Sequence, residues 1–153
     1  MNRMTRRRLA AFLAAAAALP LPALAAPTAV RAVLYKNPQC DCCEAYAAYL
    51  RREGFEVEVR PVNDLDAMSR AVGVPDGMEG CHLVQIDGYV VEGHVQASSI
   101  RKLLAERPAD VAAITLPGMP TGTPGMLGPK QGPLTIYAIG KAGGGAPTVY
   151  DVQ

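Results

Sequence analysis

Apolar positions along the chain change period several times. Ala32-Val33-Leu34-Tyr35 is a short apolar run closed by Asn37 and Pro38, the pattern of a buried strand. From Asp41 to Arg52 the period becomes helical, with Tyr46, Tyr49 and Leu50 on one face and Glu53-Gly54 as the stop. Phe55 to Val59 alternates apolar and charged residues, which predicts a second strand. Asn63 or Asp64 is placed to cap a short helix through Val72, with Leu65, Met68 and Val72 turned inward. Val74 to Gly80 reads as a loop, with Pro75 and two glycines. His82 to Ile86 is a third strand, and Asp87-Gly88 is a hairpin turn into Tyr89-Val90-Val91. Ser98 or Ser99 is the expected cap of a helix over Ile100 to Glu106, which Pro108 ends.

The predicted order is β-α-β-α-β-β-α. That is the thioredoxin-like order, an α/β fold with a mixed central sheet and helices on both faces. After Pro117 the composition shifts, and Leu116 to Pro133 holds five prolines and five glycines. This segment is expected to be an ordered loop, because Leu134 to Ile139 resumes as a strand. Lys141 to Pro147 is a glycine-rich turn, and Thr148 to Val152 is a final strand pairing with the one before it.

The first 25 residues read as a cleaved leader, leaving residues 26–153 as one domain. Met1 to Arg8 carries four arginines and no acid, Leu9 to Leu19 is an unbroken apolar run, and Ala23-Leu24-Ala25 is a cleavage signature. Eleven residues at about 1.5 Å each fall short of a hydrocarbon core about 30 Å thick, so a membrane anchor is disfavoured. Thr5-Arg6-Arg7-Arg8-Leu9 also resembles a twin-arginine signal, so both Sec and twin-arginine export stay open. The expected compartment is the periplasm. The full chain has 15 basic and 14 acidic residues; without the four leader arginines, 11 bases face 14 acids, a net charge of −3. That leaves no basic patch for nucleic acid, and no further span for a membrane.

Four cysteines carry the chemistry. Three stand together as Cys40-Asp41-Cys42-Cys43, and Cys81 joins His82 about forty residues later. The compartment would favour structural disulfides. Clustering argues against that, because scaffold disulfides close long loops and a bond between neighbouring cysteines is strained. The trio opens the first helix, where free N–H groups and the helix dipole favour thiolate. At about 100° per residue Cys40 and Cys43 share a side, with Cys42 flanking. In a thioredoxin-like fold Cys81-His82 would stand where oxidoreductases place a cis-proline; the nearest proline here is Pro75. Zinc usually takes paired cysteine knuckles, which this spacing does not provide. Sulfur-only ligation suits Cu(I), and several Cu(I) ions would neutralise the site. The spacings match none of the common iron–sulfur runs.

Softer or secondary ligands lie nearby. Met78 precedes Cys81 by three residues, and Met119 and Met126 lie in the Pro/Gly-rich loop. Methionines are ordinarily core fillers, although loop placement makes the last two candidates. His82 abuts Cys81, but strand alternation would turn neighbours to opposite faces. His94 could reach the site from the entrance to the third helix, or serve only as a surface or capping residue.

Taken together, Cys40-Asp41-Cys42-Cys43, Gly80-Cys81-His82, Glu92-Gly93-His94-Val95, Leu116-Pro117-Gly118-Met119-Pro120 and Thr123-Pro124-Gly125-Met126 resemble the CopG-type periplasmic copper-resistance family. (It is unrelated to the DNA-binding repressor of that name.) The resemblance spans nearly all of the mature chain. It implies a thioredoxin-like fold, a multinuclear copper–thiolate cluster on Cys40, Cys42, Cys43 and Cys81, and a role in copper redox handling. The chain departs from the pattern with Asp41 where glycine is usual, Gln96 where proline is common and Leu127 where an acid often follows. None of these removes a sulfur.

Three functions are therefore in view. The first is a copper redox protein that holds Cu(I) when reduced and releases it as Cys40 pairs with Cys43 and Cys42 with Cys81. The second is a thiol–disulfide oxidoreductase built on Cys40 and Cys43. The third is a copper store or chaperone without redox change. A copper exporter or an electron-transfer partner is the expected associate.

Overall fold

The computed structural model describes residues 29–141 and 145–153. The expected leader, residues 1–25, lies outside them. Among the described residues no helix is long and apolar enough to cross a membrane.

Among the described residues, ten elements follow in the order β1 (Arg31–Lys36), α1 (Asp41–Arg52), β2 (Glu56–Pro61), α2 (Leu65–Val72), β3 (His82–Ile86), β4 (Tyr89–Glu92), α3 (Ala97–Glu106), β5 (Val111–Thr115), β6 (Thr135–Gly140) and β7 (Thr148–Val152). The strands form one mixed sheet, ordered β2-β1-β3-β4-β5-β6-β7. β1 runs parallel to β2 and β4 to β5; every other neighbouring pair is antiparallel. The expected β-α-β-α-β-β-α succession and the two late strands are present, so the chain is α/β with a mixed sheet.

Strand alternation sorts side chains to two faces. Ala32, Leu34, Val84 and Ile86 turn to one face, where α1 supplies Cys43, Tyr46, Ala47 and Leu50, and α3 supplies Ala97, Ile100 and Leu103. Leu83, Val90, Ala113 and Ile139 turn to the other face, against Leu65, Met68 and Val72 of α2. Each fully buried Leu or Ile contributes about 1.5–3 kcal/mol relative to exposure.

Two differences from the sequence pattern have physical causes. β5 is a strand that the pattern did not single out. Val111-Ala112-Ala113-Ile114-Thr115 holds two alanines, which are poor strand formers, yet Ala113 and Ile114 are fully buried and pair in parallel with β4. The third helix begins at Ala97 with Gln96 as N-cap, earlier than Ser98 or Ser99 would place it. The Ser99 hydroxyl instead donates to the Asp151 carboxylate on β7, a partner 52 residues away. Elsewhere local chemistry decides. Asp64 caps α2 by accepting from the Ala67 N–H at 2.9 Å, and Asp87 and Gly88 both take positive φ in the β3–β4 hairpin.

The Pro/Gly-rich loop is packed on the fold as an ordered segment. Gly125, at φ +85°, lies so close to α1 that a Cβ there would sit 2.8 Å from the Cys42 carbonyl oxygen and 2.8 Å from the Tyr46 nitrogen. Both atoms belong to rigid helical backbone. Gly125→Ala is therefore expected to lift the loop from α1 and to cost about 1–3 kcal/mol of stability. Urea unfolding checks this; equal midpoints for the variant and the parent chain would remove this contact as a constraint.

Candidate metal centre

The register of β1 against β3 builds the site. Their antiparallel pairing sets Lys36, the last residue of β1, opposite His82, the first of β3. The chain leaving β1 turns into α1 through residues 37–40, while the chain entering β3 brings in Cys81. The N-terminus of α1 and Cys81 therefore meet at one end of the sheet.

The turn before α1 is tied from beneath. Lys36 is buried, and its Nζ donates to the carbonyl oxygens of Asn37 at 3.2 Å and Pro38 at 3.1 Å. The same ammonium lies 3.3 Å from the Glu44 carboxylate in the first turn of α1. Cys40 is the N-cap, and its side chain makes no capping hydrogen bond. The cysteines thus stand at the end of α1 where first-turn N–H groups lack intrahelical partners.

A close approach of two backbones brings in the other half. A Cβ on Gly80 would lie 2.4 Å from the Gly93 Cα, so the loop before β3 and the turn after β4 touch through glycine. Gly93 N–H donates to the His82 carbonyl at 3.1 Å. Beneath them the buried Glu92 carboxylate accepts from Ser69 Oγ at 2.8 Å and from the Gly80 N–H at 3.1 Å. Burial raises the Glu92 pKa, against the lowering effect of those two bonds. Glu92 thereby holds the residue before Cys81 to α2.

The four sulfurs form a closed ring. Cys40 and Cys43 are joined as a disulfide with Cα atoms 5.4 Å apart. Cys42 Sγ lies 3.4 Å from Cys40 Sγ and 3.5 Å from Cys81 Sγ, and Cys81 Sγ lies 3.5 Å from Cys43 Sγ. Cys42 and Cys81 are free thiols. Cys43 is fully buried; the other three are half-buried.

Both histidines reach this ring. His94 Nε2 lies 3.2 Å from Cys81 Sγ, and His82 Nδ1 lies 3.5 Å from the same atom. His94 Nδ1 is 2.7 Å from the Pro124 carbonyl oxygen, which can only accept. Nδ1 therefore carries the proton, and the Nε2 lone pair faces the sulfur. Tyr46 packs between α1 and the rings, with centroids 4.3 Å from His82 and 5.4 Å from His94. Its hydroxyl donates to the Val95 carbonyl at 2.6 Å. His82 Nε2 is buried without a hydrogen-bond partner.

The methionines separate. Met126 lines a largely apolar pocket of about 460 Å³ with Asp41, Cys42, Ala45, Gly125 and Leu127, and so stands beside the cluster. Met119 is exposed. Met78 packs against the core on the α2 face, which separates it from the sulfur ring.

Charge is disfavoured in the interior of the site. Burial, then the hydrogen bond and negative charge of Cys42, push the Cys81 thiol up to about 12. Burial, then repulsion from His94, pulls His82 down to about 3; burial also lowers His94. Free of metal, the site holds a protonated Cys81 and neutral imidazoles. A soft cation could take the place of the thiol protons and find sulfur and nitrogen donors already converged. Among the described residues, two groups with atoms within 4.8 Å of one another could hold a metal ion: Cys40, Cys42, Cys43 and Cys81, and Cys81, His82 and His94.

Lys36 escaped the sequence reading, and Glu92 entered it only within the Glu92-Gly93-His94-Val95 block, with no role of its own. Lys36 carried a usable signal, since it continues the inward alternation of Ala32 and Leu34. The tying role of Glu92 had no local signal, because its partners come from α2 and the loop before β3.

The buried histidines set a pH dependence. An unfolded histidine takes up a proton near pH 6.5, and folded His82 refuses it until about pH 3. His82 therefore adds no pH-dependent stability above 6.5 and subtracts progressively more as pH falls toward 3. The His82 ring resonances of the metal-free protein should not move between about pH 7.5 and pH 4.5. A titration centred near 6.5 would contradict its burial.

Comparison with known proteins gives a consistent result. Residues 78–126 match the family described as "Protein of unknown function, DUF411". No curated protein sequence matches the chain. A structure titled "Copper resistance protein copG- Form 2" is 32% identical, with a TM-score of 0.73, and the match covers 82% of this chain and 98% of that one. "Copper resistance protein copG- Form 1" is 33% identical, with a TM-score of 0.69, over 80% of this chain and 98% of that one. At this identity and coverage, with the four-cysteine cluster in place, the chain belongs to the CopG copper resistance protein family.

Proposed function

We propose that the protein is a periplasmic copper-binding protein that holds Cu(I) in a multinuclear thiolate cluster and takes part in copper redox handling. The observation that carries this is the convergence of four sulfurs from segments about forty residues apart into one group within 4.8 Å. Cys40, Cys42, Cys43 and Cys81 are the proposed ligands. His94 and His82 are the proposed nitrogen donors, and Met126 a peripheral thioether. The β-α-β-α-β-β-α succession is read as thioredoxin-like, and the N-terminal 25 residues as an export signal.

Sulfur donors suit Cu(I), and bridging thiolates let several ions share four sulfurs. Binding displaces the Cys81 thiol proton that burial otherwise retains, so copper and a proton compete for that sulfur. Pairing of Cys40 with Cys43 removes two of the four donors, which couples the copper content to the thiol state. A copper exporter or an electron-transfer protein would be the partner.

Copper analysis of the anaerobically reduced mature protein is expected to give more than one ion per chain. Cys81→Ser should lose most of that metal, since it removes the sulfur that touches both Cys42 and Cys43. A zinc-only preparation, or full copper stoichiometry in Cys81→Ser, would overturn the proposal.

The Cys40–Cys43 disulfide at the start of α1 favours a second function, thiol–disulfide exchange with a protein partner. The two are separated by the paired variant Cys42→Ser/Cys81→Ser. Insulin-reduction activity kept at the parent level would favour exchange, and its loss together with copper would favour the cluster.

A further inference from the structure

The disulfide divides the cluster unevenly. It takes Cys40 and Cys43 out of metal binding, since neither sulfur then has a thiolate to donate. The two thiols it leaves are neighbours in space, with Cys42 Sγ 3.5 Å from Cys81 Sγ. They come from different parts of the fold, the first turn of α1 and the entrance to β3. A third donor is already aimed at them, His94 Nε2, 3.2 Å from Cys81 Sγ.

His94 is prepared for that role. Its Nδ1–H is committed to the Pro124 carbonyl, so Nε2 is left as an acceptor. The ring is wedged edge-on against both His82 and Tyr46, at 4.8 Å and 5.4 Å between centroids. It is fully buried, so water does not compete for the lone pair. Pro124 belongs to the segment that Gly125 presses onto α1, so the same loop orients the imidazole and walls in Cys42.

We propose that Cys42, Cys81 and His94 form a distinct three-donor site that keeps one Cu(I) ion while Cys40 and Cys43 are joined as a disulfide. Two thiolates and one neutral imidazole are a soft donor set suited to a cuprous ion. The pair Cys40 and Cys43 would then govern only the additional ions of the reduced cluster. Thiol–disulfide exchange with an oxidising disulfide, which takes the two electrons of the Cys40 and Cys43 thiolates and is released as two thiolates while the Cys40–Cys43 bond forms, would lower the copper content in a step and leave one ion behind. His82 Nδ1 lies farther from Cys81, at 3.5 Å, and its ring packs against Tyr46 and His94; in this three-donor site it holds His94 in place and leaves its own nitrogen for the ions of the reduced cluster.

This inference rests on the copper-binding function proposed above, and one experiment separates the two. The full mature protein is prepared with the Cys40–Cys43 bond intact, verified by mass spectrometry of alkylated protein showing two free thiols. It is loaded anaerobically with Cu(I) and cleared with a cuprous chelator. Metal analysis should find about one copper ion per chain, and X-ray absorption should find two sulfurs and one nitrogen around it. Fully reduced protein treated alike should retain more. His94→Ala in the disulfide form should lose the nitrogen and yield its copper to the chelator. Cys40→Ala/Cys43→Ala, which cannot form the bond, should reproduce the single-ion site without any oxidation step. If the disulfide form binds no copper while the reduced form does, or if His94→Ala leaves the affinity and the absorption spectrum unchanged, the inference falls. If the reduced form binds none either, the copper-binding function itself falls.

Discussion

Antiparallel pairing of β1 with β3 is the constraint from which the site follows. Its register sets Lys36 across from His82, so one strand ends where the other begins. A helix that starts after β1 and a cysteine that precedes β3 are then neighbours. A slip of one residue would turn every β3 side chain to the opposite face. His82 would leave Tyr46, and Leu83, Val84 and Ile86 would exchange cores. The apolar pattern that holds the sheet together is thus also what holds His82 beside the sulfurs.

Backbone contacts refine that placement. Gly80 against Gly93, and Gly125 against α1, are approaches that a side chain would prevent. The first brings Cys81 within reach, and the second brings the Pro124 carbonyl that accepts from His94 Nδ1 and orients the ring. Buried polar groups act as ties. Lys36 collects the carbonyls of the turn before Cys40, and Glu92 anchors the residue before Cys81. Leaving such groups unpaired would cost about 1–3 kcal/mol each, more if charged. The interior so formed resists charge on Cys81, His82 and His94, and Cys42 lines the pocket beside Met126.

Helices and strands with strong periodicity were legible in the chain. α1, α2, β3, the Asp87-Gly88 hairpin and the two last strands fall close to where pattern and turn chemistry put them. β5 was missed because alanine says little about strand formation until a neighbouring strand covers it. The α3 start was misplaced because Ser99 found a partner on β7, a choice that no local rule contains. Among candidate donors, the four cysteines, His82 and His94 do meet, and Met126 stands at their edge. Met78 packs against the other core, on the side of the sheet that α2 covers.

Residue order alone established the kinds of atom available: clustered sulfur, an adjacent imidazole, and a helix start beneath them. It also set the alternation that builds two cores. Those properties depend on residues within a turn or two of each other, so a linear pattern carries them. The Cys40–Cys43 pair was legible in the spacing; that Cys42 and Cys81 stay thiols although their pairing was expected, which histidine nitrogen keeps its proton and which methionine stays near were settled by folding. Each depends on distances between segments thirty or more residues apart, and those distances exist only once the sheet register and the glycine contacts have closed.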